Sequence, residues 1–242
     1  MFPFFRGIGA EPTLQIEQMS IYRERPMATE HAMPQRVGAV LHSPLLYDAI
    51  VWFALRGHER RLRERLLELS GLRTGESVLD VGCGTGTLAI LAKEIVGGSG
   101  TVCGVDASAE MLSRARSKAA RADVDVRFEK GAAQQLPCPD SSFDLALGTM
   151  MLHHLGRAAR QGFAGELRRV VRPGGRVLLV DFAGSKTNRR SRFAAHFSHR
   201  HGHVGLAEIV GLLESAGFQL AESGAVGIRD LHFALASAPG GA

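Results

Sequence analysis

Long apolar runs and cysteines are scarce in this chain, and each scarcity removes a class of protein. No stretch of the 242 residues comes near the roughly 18 apolar residues that a membrane-crossing helix needs. Met1 to Arg6 holds Phe2, Phe4 and Phe5 but no basic start, apolar stretch and cleavage site of a secretory leader. Three cysteines, Cys83, Cys103 and Cys138, are an odd number with no Cys-x-x-Cys spacing, which argues against a disulfide framework and for reduced thiols. No metal site is expected. Charge of one sign is also lacking: the formal balance is only +5, so where the cations sit matters more than their number. What remains, 45% hydrophobic and 22% charged residues, is the composition of one globular domain, expected to be soluble and cytoplasmic.

Residues 1–38 show no sustained period and carry prolines at 3, 12, 26 and 34, so they read as a loosely held extension in which Met27 or Met33 serves equally well as a start. Residues 39–76 read as a helical N-terminal lid. Within it Leu45 to Phe53 is an apolar helix, and Glu59 to Ser70 is a second one with Leu62, Leu66, Leu67 and Leu69 inward and Arg60, Arg61, Arg63 and Arg65 on a solvated face. From Ser77 onward strands and helices alternate, which predicts a parallel sheet covered on both faces. The strands are expected at 77–81, 101–106, 124–129, 143–149 and 176–182, with helices from Thr85 to Val96, from the Ser108 cap to Ala122 and from Arg157 to Val171. A last helix, 206–216, ends at Gly217 as a left-handed cap, and two closing strands follow at 218–223 and 228–236. The domain then spans 77–236, with a frayed tail at 237–242.

Asp80 to Gly86, Asp-Val-Gly-Cys-Gly-Thr-Gly, stands between the first strand and its helix. Glycines there let backbone approach a ligand, and the helix start adds N–H groups and dipole. The Gly82, Gly84, Gly86 spacing is Gly-x-Gly-x-Gly, not the Gly-x-Gly-x-x-Gly of dinucleotide folds. Asp106, 20 residues beyond Gly86 at the end of the next strand, is placed to reach ribose hydroxyls.

Val-Leu-Asp-Val-Gly-Cys-Gly-Thr-Gly, then Gly-Val-Asp and Glu-Met-Leu, resembles the class I S-adenosylmethionine (SAM) dependent methyltransferases. Pro-Asp-Ser-Ser-Phe-Asp at 139–144, His-His-Leu at 153–155 and Arg-Pro-Gly-Gly-Arg-Val-Leu-Leu-Val-Asp at 172–181 are similar to the later motifs of that family. The resemblance covers Tyr47 to Ala236. It implies an α/β, Rossmann-like, doubly wound sheet of seven strands, mostly parallel with an antiparallel C-terminal pair. SAM is the implied cofactor and S-adenosylhomocysteine its product. Gly82, Cys83 and Gly84 would offer backbone to the methionine part and the sulfonium, Thr85 its hydroxyl and N–H, and Asp80 would orient the amino group or pin the turn. Asp106 would accept from the ribose diol, Ala107 and Met111 would line the adenine, and Thr149 would meet the methionine end or the methyl. Relatives often carry Asp or Asn where Ala132 stands, so the backbone of Ala132 and Ala133, or Gln134, must serve the adenine instead.

Methyl transfer from a sulfonium is an in-line displacement, in which alignment alone supplies much of the acceleration. His153 and His154 follow the fourth strand at the ligand-binding edge, and either is a candidate general base or a structural histidine. Asp181 ends the fifth strand at that edge. Tyr47-Asp48 resembles the Tyr-Asp pair of the ubiquinone/menaquinone biosynthesis C-methyltransferases, where the tyrosine lies in a lid over the cofactor, so Tyr47 is a third candidate. The insert at 183–204 has no acid and mixes Lys186, four arginines and four histidines with Phe193 and Phe197. It suits an anionic aromatic or long-chain acceptor, an anionic membrane surface, or plain solvation. Methylation of a small molecule at C, O or N is the expected function. The competitors are a silent SAM-binding partner protein and an RNA methyltransferase, the latter opposed by the lack of an appended RNA-binding module.

Overall fold

A computed structural model describes residues 59–182, 204–228 and 230–241. The extension at 1–38, the helix expected at 45–53, Tyr47 and residues 183–203 of the insert lie outside the described residues. Helices are labelled α1 (Glu59–Ser70), α2 (Thr87–Val96), α3 (Ala109–Arg121), α4 (Arg157–Val170) and α5 (Leu206–Ser215). Strands are β1 (Ser77–Val81), β2 (Thr101–Asp106), β3 (Arg127–Lys130), β4 (Phe143–Thr149), β5 (Val171–Phe182), β6 (Gln219–Ala225) and β7 (Leu231–Ser237).

The seven strands form one sheet in the order β3-β2-β1-β4-β5-β7-β6. β1 to β5 run parallel, while β7 pairs antiparallel with both β5 and β6. Alternate side chains of each central strand feed two cores. Leu79, Cys103, Ala146 and Leu179 face α4 and α5 on one side. Val78, Val102, Leu145 and Leu178 face α1, α2 and α3 on the other. Burial on both faces is why the middles of β1, β4 and β5 carry the apolar runs 78–79, 145–147 and 177–180, and it leaves their carboxyl ends as the place where polar groups gather. Between β1 and β4 the chain reverses its direction of winding, and that crevice is where the site lies.

Local hydrogen bonding moves several expected boundaries. β3 begins at Arg127 because Val124 N–H is drawn back to Ala119 C=O as part of the α3 cap, with Asp123 left-handed at φ 54. β5 begins at Val171, paired with Phe143, so Pro173-Gly174-Gly175 is an irregularity within the strand and not a stop before it. At the end of α5, Phe218 N–H closes on Leu213 C=O and Gly217 takes φ 85, the expected left-handed cap. Ser108 caps α3 as expected, accepting from Met111 N–H.

Arg63 is the correction with chemical consequence. It does not share the solvated face of Arg60 and Arg65; it is buried at 7% exposure beside Leu62 and Leu66. Arg63 sits three and four residues before Leu66 and Leu67, which puts it on the inward stripe.

Candidate functional site

The glycine turn is held by its own backbone. Gly82 and Cys83 N–H groups both donate to Val105 C=O at 2.8 and 3.1 Å, and Gly86 N–H donates to Cys83 C=O. Gly84 N–H donates to Asp106 Oδ2 at 2.9 Å. Gly82 adopts φ 71, and a Cβ placed there would lie 2.9 Å from Met151 Cβ. Only glycine satisfies both conditions. With four of its N–H donors committed internally, the turn is poorly suited to a pyrophosphate, which needs such donors free.

Beneath the turn is a small polar hollow lined by Arg63, Asp80, Thr85, Thr87 and Thr149, among others. Asp80, 1% exposed, accepts from Ala89 N–H, but its Oδ2 has no partner among the described residues. Burial pushes its carboxyl up to about 7, against the pull of the Arg63 guanidinium. Arg63 in turn has an unpartnered Nε, and its Nη2 lies 3.7 Å from Glu59. Two buried groups of opposite sign, each with an unpartnered atom among the described residues, thus line one hollow. Thr85 is turned otherwise than expected. α2 starts at Thr87 with Gly86 as its cap, and the Thr85 hydroxyl accepts from Lys118 Nζ at 2.8 Å.

At the end of β2, Asp106 is held at both oxygens. Gly84 N–H bonds Oδ2 and Ser108 N–H bonds Oδ1, each at 2.9 Å, with Ala107 N–H contributing. Burial raises its carboxyl above the usual range, and these N–H donors oppose the rise. Each oxygen keeps acceptor capacity for a hydroxyl. Ala107 is exposed beside it and Met111 buried one turn further. Gly131 N–H bonds Asp106 C=O, which brings Ala132 and Ala133, both half-buried, to the same edge.

A second constellation lies across β4 and β5. Met150 follows β4 at φ 54, a left-handed conformation costly for a non-glycine residue, and donates to Val180 C=O at 2.7 Å. The short 3₁₀ turn Leu152–His154 comes next. His153 Nδ1 lies 2.8 Å from Asp181 Oδ1, and His153 N–H donates to Oδ2 at 3.0 Å. Phe182 N–H donates to Oδ1 at 2.7 Å, so Asp181, fully buried, is satisfied by three donors. A carboxylate on Nδ1 fixes the tautomer and leaves Nε2 as the acceptor. Phe182 meets the ring edge-on at 5.4 Å, and the His154 ring lies 4.0 Å away. Arg160, buried on α4, donates to Leu152 C=O and pairs with Glu208 of α5, anchoring the turn.

The structure therefore brings Asp80, Gly82, Cys83, Gly84, Thr85 and Thr149 together, Asp106 with Ala107, Met111, Ala132 and Ala133 beside them, and His153 with His154 at the β4 end. Tyr47 lies outside the described residues. Sequence reasoning missed Arg63, which its position in the leucine stripe could have revealed. It also missed His232, the register partner of Asp181 on β7, whose Nδ1 is buried and unpartnered among the described residues.

Comparison with known proteins gives a consistent family. A family model described as a methyltransferase domain matches residues 78–175. The ubiquinone/menaquinone biosynthesis C-methyltransferase UbiE of Pseudomonas aeruginosa is 32% identical over 193 residues, covering 77% of this chain and 71% of that one. The 27-O-demethylrifamycin SV methyltransferase of Amycolatopsis mediterranei is 40% identical over 127 residues, covering 50% and 44%. Among solved structures, a SAM dependent methyltransferase from Aquifex aeolicus shares the fold with a TM-score of 0.66, at 23% identity and with 81% and 98% of the two chains covered.

Proposed function

The chain belongs to the class I SAM-dependent methyltransferases, and we propose that it methylates a hydroxyl oxygen of a small aromatic or otherwise acidic acceptor, with His153 as the base. SAM is the cofactor, and when bound it supplies an electrophilic methyl on a sulfonium.

The residues of the β1–β2 edge fit that cofactor by their chemistry. The unpartnered Asp80 oxygen and the Arg63 guanidinium suit the ammonium and carboxylate of its amino-acid end. Asp106 suits the ribose diol. Internal commitment of the turn's N–H groups favours a cation over a phosphate. Ala107, Met111, Ala132 and Ala133 would then wall the adenine, and Thr149 would lie toward the transferring group.

The single observation that carries the choice of acceptor is the His153–Asp181 pair. A positioned base is needed when the acceptor bears a proton that must leave, as a phenol does, and adds nothing to attack by a thioether or tertiary amine. His153 Nε2 takes the hydroxyl proton, and buried Asp181 holds Nδ1–H and stabilises the imidazolium that forms. Two relatives named for C- and O-methylation support an acceptor of this kind, since removing a phenol proton activates both the oxygen and the ring carbon beside it. Oxygen is the atom next to the base, and it is the one proposed here.

Incubation with methyl-labelled SAM and a panel of phenols, matched amines and thiols tests the reading. Label transfer to phenolic oxygen, lost in His153→Ala, is the expected result. Transfer to amines alone, or to phenols with His153→Ala as active as the wild type, would overturn it. No transfer to any acceptor, with SAM bound, would favour the silent partner protein.

A further inference from the structure

The helix dipole, Arg63 and Lys118 together put positive charge around the amino end of α2. This helix spans 10 residues, no side chain caps it, and no acid stands in its first turn. Lys118, in the last turn of α3, reaches across to that end. Its Nζ donates to Thr85 Oγ1 at 2.8 Å and to Thr87 Oγ1 at 3.2 Å. Both threonines line the polar hollow. So does buried Arg63, whose Nε has no partner among the described residues. Asp80 is the one acid among the residues lining that hollow. The last turn of α3 favours a cation, whereas the amino end of α2 disfavours one. A second cation beside Arg63 adds to that cost unless an anion shares the hollow.

We propose that Lys118, acting through Thr87, completes the subsite for the carboxylate of SAM and sets the preference of the protein for SAM over decarboxylated SAM. The inference rests on the cofactor reading above and deepens it. Asp80 receives the ammonium of the amino-acid end and Arg63 one oxygen of its carboxylate. The Thr87 hydroxyl donates to the other oxygen. A hydroxyl that accepts from an ammonium turns its own proton elsewhere, so the bond from Lys118 makes Thr87 a donor on the wall of the hollow. The shorter bond to Thr85 holds the ammonium at the start of the helix. Lys118 is thus a positioning residue, whose charge reaches the ligand through the threonine it orients. Decarboxylated SAM is the discriminating probe, because it keeps the adenine, ribose, sulfonium and amine and lacks only the carboxylate.

The test is calorimetric titration of SAM and of decarboxylated SAM into the full chain as wild type, Lys118→Met and Thr87→Val. The wild type should bind SAM at least roughly tenfold more tightly than the decarboxylated form. Each variant should weaken SAM by about three- to tenfold and leave the Kd for decarboxylated SAM unchanged. Equal weakening of both ligands would mean that Lys118 only braces the turn, and unchanged SAM affinity would mean that it does nothing at the subsite. Either result overturns the proposal while leaving the cofactor reading intact. A wild type that binds no SAM would overturn that reading, and this inference with it. Thr87→Val decides alone if Lys118→Met fails to fold.

Discussion

The β1–β2 and β4–β5 halves of the sheet's carboxyl edge each bury a carboxylate, and the two are treated in opposite ways. Asp181 is fully buried and receives three hydrogen bonds, two of them from backbone N–H groups. It is complete without a ligand. Asp80 is almost as buried, yet one of its oxygens has no partner among the described residues, and its carboxyl is pushed up to about 7. The β4–β5 half is therefore a preorganised device whose geometry is fixed in advance. In the function proposed above, the β1–β2 half is the receptor, and it would hold its desolvation cost until the cofactor binds.

The strongest way to break this contrast is to remove the base. His153→Ala is expected to lower kcat by roughly 10²–10⁴ with the Kd for SAM unchanged, measured by steady-state kinetics beside calorimetry. Asp181→Asn keeps the shape but not the charge on Nδ1, and kcat should fall by at least roughly tenfold, again without loss of SAM binding. If either variant weakens SAM as much as it slows turnover, the halves are not separable.

Next in size is Arg63→Met, which preserves the packing of α1 and removes the guanidinium. SAM binding should weaken by about 10- to 100-fold, the worth of a charge-assisted contact in a buried site. Binding unaffected by this change would return Arg63 to a purely structural role.

The smallest effect is on stability, and it sharpens the contrast most. An unfolded Asp80 titrates near 3.8 and the folded one near 7. Between those values the native state holds a proton that the unfolded chain releases. The ligand-free protein accordingly loses stability as pH rises from about 4 through 7, by up to roughly 4 kcal/mol. Asp80→Asn should flatten that slope and raise the melting temperature at pH 8 by about 5–10 °C, while SAM binds more weakly. Asp181→Asn should show no such gain, since it breaks a satisfied network. A melting temperature for Asp80→Asn below the wild type at pH 8 would contradict the difference drawn between the two acids.

The same contrast explains what was legible in the sequence. Asp80, Gly82, Gly84 and Gly86 fall within seven consecutive residues, and Asp106 one strand on, so local spacing was enough to place them side by side. The two closing strands were legible too, from Gly217 and the two short runs after it, while their antiparallel pairing was implied by the family resemblance. The pairing of His153 with Asp181 was not, because it depends on the register between β4 and β5 across 28 residues. Arg63 was misread because arginine is usually solvated, and that habit overrode its position three and four residues from Leu66 and Leu67. The start of β3 was misplaced for a local reason, since Val124 N–H belongs to the α3 cap.

A single calorimetric series tests the division of labour most directly: SAM titrated into the wild type, Asp106→Ala and His153→Ala at one pH and ionic strength. The expected outcome is binding weakened by about 30- to 150-fold in Asp106→Ala, from loss of roughly 2–3 kcal/mol of charge-assisted bonding, and a wild-type Kd in His153→Ala. Wild-type affinity in Asp106→Ala would contradict the account.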